Sequence, residues 1–222
     1  MEEVVDEILL IDKPKGITSM DVIRRLRKEL QIKKIGHAGT LDPLATGLML
    51  VGVGKGTKRL TELVKLDKEY VTEIRIGESR TTGDLEGPIV EEKAVTELEK
   101  DVVEKALEDM IGELELPVSA YSAIKVDGVP MYKRARRAEK EGGVVDDVLM
   151  RVMKVYEAEL LDFRVSENRA VATVRFSVGS GTYIRSLGEE LGRRLGYPAV
   201  LQELRRTKVG EFDIKDARTL EK

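Results

Sequence analysis

The residues best suited to chemistry lie in one glycine-rich stretch, residues 36–47, which reads GHAGTLDPLATG. It holds the only histidine of the chain, His37, and one aspartate, Asp42, between the apolar Leu41 and the rigid Pro43. A carboxylate on a backbone restricted by proline, in a loop rich in glycine, is suited to presenting a single acid to a pocket. The alternative is a tight turn in which Asp42 caps a neighbouring backbone group. The spacing alone favours the turn.

Composition narrows the classes of protein to which the chain can belong. Its 222 residues are 41% hydrophobic, enough for one large domain or for one domain with a small subdomain. The absence of cysteine excludes disulfides and thiolate metal sites, and one histidine argues against a histidine metal site or a Ser-His-Asp triad. No apolar run approaches the roughly 18 residues of a membrane helix, and the acidic start is no signal peptide. We therefore expect a cytoplasmic protein without a membrane segment.

Charge is distributed unevenly along the chain, although the net charge is only −3. Residues 13–59 contain eleven Lys or Arg against three acids, whereas residues 88–116 contain ten acids against three bases. Such a division suggests one face for an anionic partner and another for solvent. Solvated helix faces would produce the same runs, and the charges alone do not separate the two interpretations.

The elements that must position these residues form a mixed pattern. Residues 8–11 predict a strand, Ser19 is a candidate cap for a basic amphipathic helix, and residues 48–53 predict a buried strand. Alternation after Tyr70 predicts a strand that buries Tyr70, Thr72, Ile74 and Ile76 on one face.

The second half of the chain continues this mixture. Thr96 and Glu99 resemble a capping box for a helix that extends to about Ile111, with a polar loop at residues 77–87 before it. A strand at residues 170–178 and a helix closed by Gly196 follow. Because strands and helices are interspersed without a βαβ repeat, the fold class predicted is α+β.

Six segments of the chain follow one another in a distinctive order: residues 13–19 (KPKGITS), 36–47 (GHAGTLDPLATG), 68–70 (KEY), 122–136 (SAIKVDGVPMYKRAR), 181–187 (GTYIRSL) and 204–206 (LRR). Together they resemble the catalytic domain of the TruB family of pseudouridine synthases. The resemblance covers nearly the whole chain. It implies a pseudouridine synthase fold, in which a mixed, mostly antiparallel central sheet with flanking helices and loops surrounds a central catalytic cleft. It also implies one catalytic domain over residues 1–222, without the PUA domain that usually follows in bacterial members.

The implied activity is the isomerisation of a uridine in the T loop of tRNA, position 55, to pseudouridine. The base is flipped out, the glycosidic bond is cleaved with the help of an aspartate, and the ribose is re-attached at C5. That chemistry needs no metal or organic cofactor. The implied partner is the T arm of tRNA, with no obligate protein partner and a monomeric enzyme. Two other functions stay open: a non-catalytic RNA-binding module, and a guide-dependent synthase of the snoRNP type.

The resemblance also assigns roles to individual residues. Asp42 is the catalytic carboxylate, acting as nucleophile or as base, and Arg185 is its guanidinium partner. Tyr70 is a stacking platform whose hydroxyl could remove the C5 proton. The remaining assignments place Tyr183 and Leu204 in the substrate pocket, His37 in the gap left by flipped bases, and Lys13, Lys15, Arg205 and Arg206 on the RNA. For Tyr183 and Leu204, ordinary core packing is the competing interpretation.

Overall fold

The computed structural model describes residues 7–119, 124–126, 128–140 and 149–220. These residues form two compact units. The first contains the chain up to Thr72, Arg175–Gly181 and the residues from Glu203 onward, and the second contains Glu73–Val174 and Thr182–Gln202. No helix of the described residues is both long enough and apolar enough to cross a membrane.

Strands dominate the secondary structure. Their bounds are β1 (Ile8–Lys13), β2 (Ile35–His37), β3 (Thr46–Val53), β4 (Lys68–Ile76), β5 (Glu78–Arg80), β6 (Ile89–Glu92), β7 (Gly112–Pro117), β8 (Lys125–Val126), β9 (Val129–Pro130), β10 (Met150–Ser166), β11 (Arg169–Val178), β12 (Ala199–Val209), β13 (Phe212–Asp213) and β14 (Arg218–Thr219). The helices are α1 (Ser19–Leu30), α2 (Leu60–Leu63), α3 (Lys100–Glu108), α4 (Met131–Lys140) and α5 (Ile184–Leu195), with short 3₁₀ turns at Gly54–Arg59 and Ile214–Asp216.

In the first unit, β3 is the central strand. It pairs antiparallel with β1 and β2 and parallel with β12, while β14 lies beyond β1 and β13 pairs with β12. Gly47 and Arg206 are register partners in the β3–β12 ladder. Gly47 has a φ of 104°, and a Cβ placed there would lie 2.3 Å from the Arg206 carbonyl oxygen. Only glycine fits this close approach at the start of β3.

In the second unit, β10 pairs antiparallel with β7, and two short antiparallel hairpins are formed by β5 with β6 and by β8 with β9. Helix α3 packs on β10 and α5, and α5 also contacts β7. Strands β4, β11 and β12 each contribute residues to both units. The predicted fold class, a mixed and mostly antiparallel sheet with helices, is confirmed.

Several local predictions are confirmed and others are wrong. Tyr70, Thr72, Ile74 and Ile76 are all buried along one face of β4, as alternation predicted. The N-cap of α1 is Thr18 rather than Ser19, which is the first helical residue.

Three predictions in the second unit also need correction. Helix α3 begins after Glu99 with no side-chain cap, so the capping box predicted from Thr96 is wrong. The helix ends at Glu108 rather than at about Ile111, which is 49% exposed. The predicted loop at residues 77–87 contains strand β5.

Candidate active site

Asp42 lies in the irregular segment between β2 and β3, residues 38–45. The Ala45 amide donates to the Asp42 carbonyl at 3.1 Å, which closes a turn on the C-terminal side of the aspartate. The Gly16 amide donates to the Pro43 carbonyl at 2.8 Å. A turn at Asp42, the alternative interpretation, is therefore present in its backbone, and the Asp42 side chain is half-buried.

Ser19 fixes the residue on the other side of the aspartate. Its hydroxyl donates to the Leu41 carbonyl at 2.9 Å and accepts from the Leu41 amide at 2.9 Å. Ser19 is 2% exposed and Leu41 is 3% exposed, so water does not compete for these bonds. Both neighbours of Asp42 are thus held by the segment from Gly16 to Ser19.

Arg206 is buried beneath the same loop and is 1% exposed. Its Nε donates to the Leu48 carbonyl at 2.7 Å and its Nη2 donates to the Gly39 carbonyl at 3.2 Å. The guanidinium therefore joins the chain before Asp42 to the chain after it. The structure places this side chain in the interior, so the prediction of a direct contact between Arg206 and RNA phosphate needs correction.

Lys13 is fully buried, and the same correction applies to it. Its Nζ donates to the carbonyls of Ile17 at 2.8 Å, Pro14 at 3.0 Å and Pro43 at 3.4 Å. Burial lowers the pKa of Lys13 to about 8, with the negative charge of Asp42 opposing this shift and the positive charge of Arg206 adding to it. Lys13 is therefore a cation that acts on the loop of Asp42 from inside the protein.

Lys15 and Arg205 remain accessible, as the RNA-contact prediction requires. The Lys15 ammonium is 2.5 Å from a carboxylate oxygen of Glu203, and its side chain is 52% exposed. Arg205 forms a two-point pair with Asp12, at 2.7 Å and 3.2 Å, and its side chain is 43% exposed. Lys15 can exchange Glu203 for a phosphate at little cost, because exposed ion pairs contribute about 0–1 kcal/mol. The pair between Arg205 and Asp12 is partly buried, so its exchange costs more.

Tyr70 and Leu204 are buried in the first unit, each 8% exposed. Lys68 shares the buried face of β4 with Tyr70, and its Nζ donates to the carbonyls of Leu66 and, at 2.6 Å, of Val64. Burial, followed by the charge of Arg206, lowers the pKa of Lys68 to about 8. Sequence reasoning did not single out Lys68, although its position two residues before Tyr70 on an alternating strand was an available signal.

His37 ends β2 and is half-buried. Its Nδ1 is buried and has no hydrogen-bond partner among the described residues. Burial, and then the charge of Arg206, lower the pKa of His37. The imidazole is therefore neutral at physiological pH, which suits contact with a base more than an ion pair with phosphate.

In the second unit, Tyr183 is the N-cap of α5 and Arg185 lies in its first turn. Arg185 is 6% exposed, and its Nη1 donates to the Thr82 carbonyl at 2.9 Å and to the Ser119 hydroxyl at 3.2 Å. A carboxylate oxygen of Asp84 lies 3.8 Å from the same nitrogen. The role of Arg185 as the partner of Asp42 stays a prediction.

Asp84 is the residue of this group that sequence reasoning missed. It is 4% exposed and accepts from the Thr82 hydroxyl at 2.6 Å and from the Glu86 amide at 3.1 Å. The available signal was an aspartate placed between a glycine and a leucine inside a polar loop. Other residues of the resemblance, Ser122, Ala123 and Asp127, lie outside the described residues.

This arrangement suits chemistry that needs one carboxylate on a fixed backbone. Within the described ranges, no group of three or more His, Asp or Glu side chains could hold a metal ion. Asp42 can act as a nucleophile or as a base.

Comparison with known proteins identifies the family. A model of the TruB family pseudouridylate synthase N-terminal domain matches residues 27–184. This chain belongs to the TruB family. A second model, of the tRNA pseudouridylate synthase B C-terminal domain, matches residues 185–222.

Curated relatives of this TruB-family chain are similar over almost its whole length. The protein named tRNA pseudouridine synthase B from Leifsonia xyli is 43% identical over 96% of this chain and 70% of its own length. The protein of the same name from Fusobacterium nucleatum is 42% identical over 95% of this chain and 70% of its own length. The predictions that the chain resembles the TruB family and is an enzyme, a pseudouridine synthase and hence an isomerase, are confirmed.

Solved structures share the fold. The crystal structure of a Cbf5-Nop10-Gar1 complex matches 98% of this TruB-family chain with a TM-score of 0.73 and 28% identity. An H/ACA RNP bound to a substrate RNA containing 2'-deoxyuridine matches 97% of it with a TM-score of 0.68 and 26% identity. The chain covers 53% and 51% of those two solved chains, so it spans about half of their length.

Proposed function

We propose that this chain converts the uridine at position 55, in the T loop of tRNA, to pseudouridine, with Asp42 as the catalytic carboxylate. The observation that carries the proposal is the loop of Asp42, whose flanking Leu41 and Pro43 are both hydrogen-bonded to the segment from Lys13 to Ser19. Relatives about 40% identical over nearly the whole chain bear the name tRNA pseudouridine synthase B.

The reaction moves C1' of the ribose from N1 to C5 of the uracil. The N1–C1' bond breaks, the base turns, a C5–C1' bond forms, the C5 proton leaves and N1 gains a proton. No electron or phosphoryl group is transferred, so one carboxylate and one proton acceptor suffice. Asp42 either attacks the nucleotide or removes a ribose proton, and the Tyr70 hydroxyl is the proposed acceptor of the C5 proton.

The target uridine must leave the folded loop before it can react. We assign Tyr70 and Leu204 to the pocket that receives it, because both are buried and each lies on a strand of the first unit. His37, as a neutral ring, is proposed to fill the gap left in the RNA. Tyr183 as a pocket residue and Arg185 as the guanidinium partner of Asp42 stay predictions from the resemblance.

Contact with the T arm is proposed to be made through shape and phosphates. Lys15 and Arg205 are the accessible cations among the residues assigned to RNA. We propose that the enzyme acts in the cytoplasm as a monomer, without a cofactor, an obligate protein partner or a guide RNA.

Release of tritium from tRNA transcripts labelled at C5 of uridine tests the proposal. We expect the purified chain to release one tritium per tRNA, and a transcript with cytidine at position 55 to release none. Asp42→Asn keeps the size of the side chain and removes its charge, so it should release none while its melting temperature stays close to the wild-type value. Asp213→Asn is the matched control, because Asp213, at the end of β13 in the same unit, carries a carboxylate that accepts from the Lys215 amide.

Three results would contradict the proposal. Tight binding of tRNA without tritium release would indicate an RNA-binding module. Release only after a guide RNA and partner proteins are added would indicate a guide-dependent synthase. Full release by Asp42→Asn would exclude Asp42 as the catalytic group.

A further inference from the structure

We infer that Ser19 is a positioning residue for Asp42, acting through the backbone of Leu41. A single hydroxyl satisfies both polar groups of Leu41, as donor to its carbonyl and as acceptor from its amide, each at 2.9 Å. Leu41 immediately precedes Asp42, so these bonds fix the peptide from which the aspartate extends. The inference rests on the proposed function, in which Asp42 is the catalytic group.

The hydroxyl of Ser19 is available for this contact because Thr18 caps the helix. The Thr18 hydroxyl accepts from the Asp21 amide at 3.1 Å, and the Asp21 carboxylate accepts from the Thr18 amide at 2.9 Å. This reciprocal capping box anchors the first turn of α1 without using Ser19. Ser19 therefore projects from a rigid helix end towards the loop.

Burial makes the contact difficult to replace. Ser19 and Leu41 are 2% and 3% exposed, and a buried backbone group that loses its partner bears the full cost of its desolvation. The loop would then rearrange to find new partners for the Leu41 amide and carbonyl. Pro43 is held separately by Gly16, so the loop would remain attached while the direction of Asp42 changed.

Ser19→Ala tests the inference in single-turnover assays with labelled tRNA. We expect the rate of the chemical step to fall about 10²-fold, the effect of a misplacement of about 1 Å in a catalytic group. The dissociation constant for tRNA should stay unchanged, because Ser19 is only 2% exposed and offers RNA almost no surface to contact. Ser19→Thr keeps the hydroxyl and should restore most of the rate.

Thr57→Val is the matched control. The Thr57 hydroxyl donates to the Gly54 carbonyl at 2.8 Å in the same unit, beyond the end of β3 that is remote from Asp42. We expect this variant to show a similar change in melting temperature and a wild-type rate. A wild-type rate in Ser19→Ala, or equal losses of rate in Ser19→Ala and Thr57→Val, would overturn the inference.

Hydrogen exchange of the Leu41 amide, followed by NMR, separates this inference from the proposed function. If Ser19 fixes the loop, the Leu41 amide should exchange faster in Ser19→Ala than in the wild-type protein and in Thr57→Val. An unchanged exchange rate in Ser19→Ala would overturn the inference. If the wild-type chain releases no tritium, the proposed function fails, and the exchange of Leu41 still decides whether Ser19 fixes this loop.

Discussion

The two units bury charge in opposite ways. In the first, Lys13, Lys68 and Arg206 are 0%, 7% and 1% exposed, and the groups they bond are mainly backbone carbonyls. A carbonyl dipole satisfies the donors of a cation without cancelling its charge. The positive charge therefore persists inside this unit, next to the loop that carries Asp42.

In the second unit, a buried carboxylate is surrounded by cations. Glu78 is 1% exposed; Arg80 lies 2.6 Å from its carboxylate, Arg75 lies 3.6 Å away, and Arg169 also contacts it. Burial opposes the ionisation of Glu78, but the hydrogen bond from Arg80 and the charges of Arg169, Arg80 and Arg75 outweigh it, so its pKa is lowered. The network continues from Arg169 to Glu92.

The difference separates a functional charge arrangement from a structural one. Buried cations are costly, and we infer that Lys13 and Arg206 are retained because they hold the loop of Asp42 through the carbonyls of Pro43 and Gly39. The charge of Glu78 is paired with the arginines around it and serves to hold this network together. We therefore expect changes at Glu78 to act on stability, and changes at the buried cations to act on stability and on catalysis.

The largest expected effect is that of Glu78→Gln on stability. Removing one partner of a buried ion network leaves arginines uncompensated, so the free energy of unfolding in urea should fall by about 3–5 kcal/mol. The folded fraction should keep its rate of tritium release. Glu92→Gln, which alters the 56% exposed partner of Arg169, is the control, and its effect should stay below about 1 kcal/mol. If both variants lowered the free energy of unfolding by the same small amount, the buried charge of Glu78 would not be a structural feature that distinguishes the second unit.

The pattern of the fold was predictable where one periodicity dominated. Alternation identified β4 and its buried face, and the helical spacing before Gly196 identified α5. The start of α3 was not predictable from Thr96, because a capping box needs a backbone geometry that the two residue types do not enforce. Strand β5 was missed because it is three residues long and is stabilised by pairing with β6, which lies further along the chain.

The sequence was sufficient to propose which residues belong to the site, but not to predict which of them are buried or what they contact. Lys13 and Lys15 stand two residues apart in one basic motif, yet one is buried and the other is 52% exposed. Lys13 bonds two local carbonyls, those of Pro14 and Ile17. Its third acceptor, Pro43, and the acceptor Gly39 of Arg206 are 30 and 167 residues away in the chain. The local sequence does not reveal these distant carbonyl acceptors. Lys13 and Arg206 were therefore predicted to lie on the surface and to contact RNA.

Alkaline pH provides an intermediate effect, through Lys13. Its pKa is about 8 in the folded state and near 10.5 when exposed, so between these values the unfolded chain binds more protons and stability rises with pH. Below pH 8 Lys13 is protonated in both the folded and the unfolded state, so the full cost of burying its charge reduces the stability. Relative to Lys13→Met, wild-type protein should gain about 2 kcal/mol in free energy of unfolding between pH 7.5 and 9.5. Parallel pH profiles of the two proteins would show that this lysine is not buried as a cation.

The smallest effect distinguishes an exposed cation from a buried one in RNA binding. Lys15→Gln should reduce the slope of log binding constant against log salt by about 1, because one phosphate contact is lost. Its stability should change by less than about 1 kcal/mol, since the pair with Glu203 is exposed. Lys13→Met should leave the salt slope unchanged, because a side chain with no exposed surface releases no counterion. Filter binding of tRNA between 50 and 200 mM salt measures both slopes. A reduced slope for Lys13→Met would indicate that Lys13 does contact an RNA phosphate.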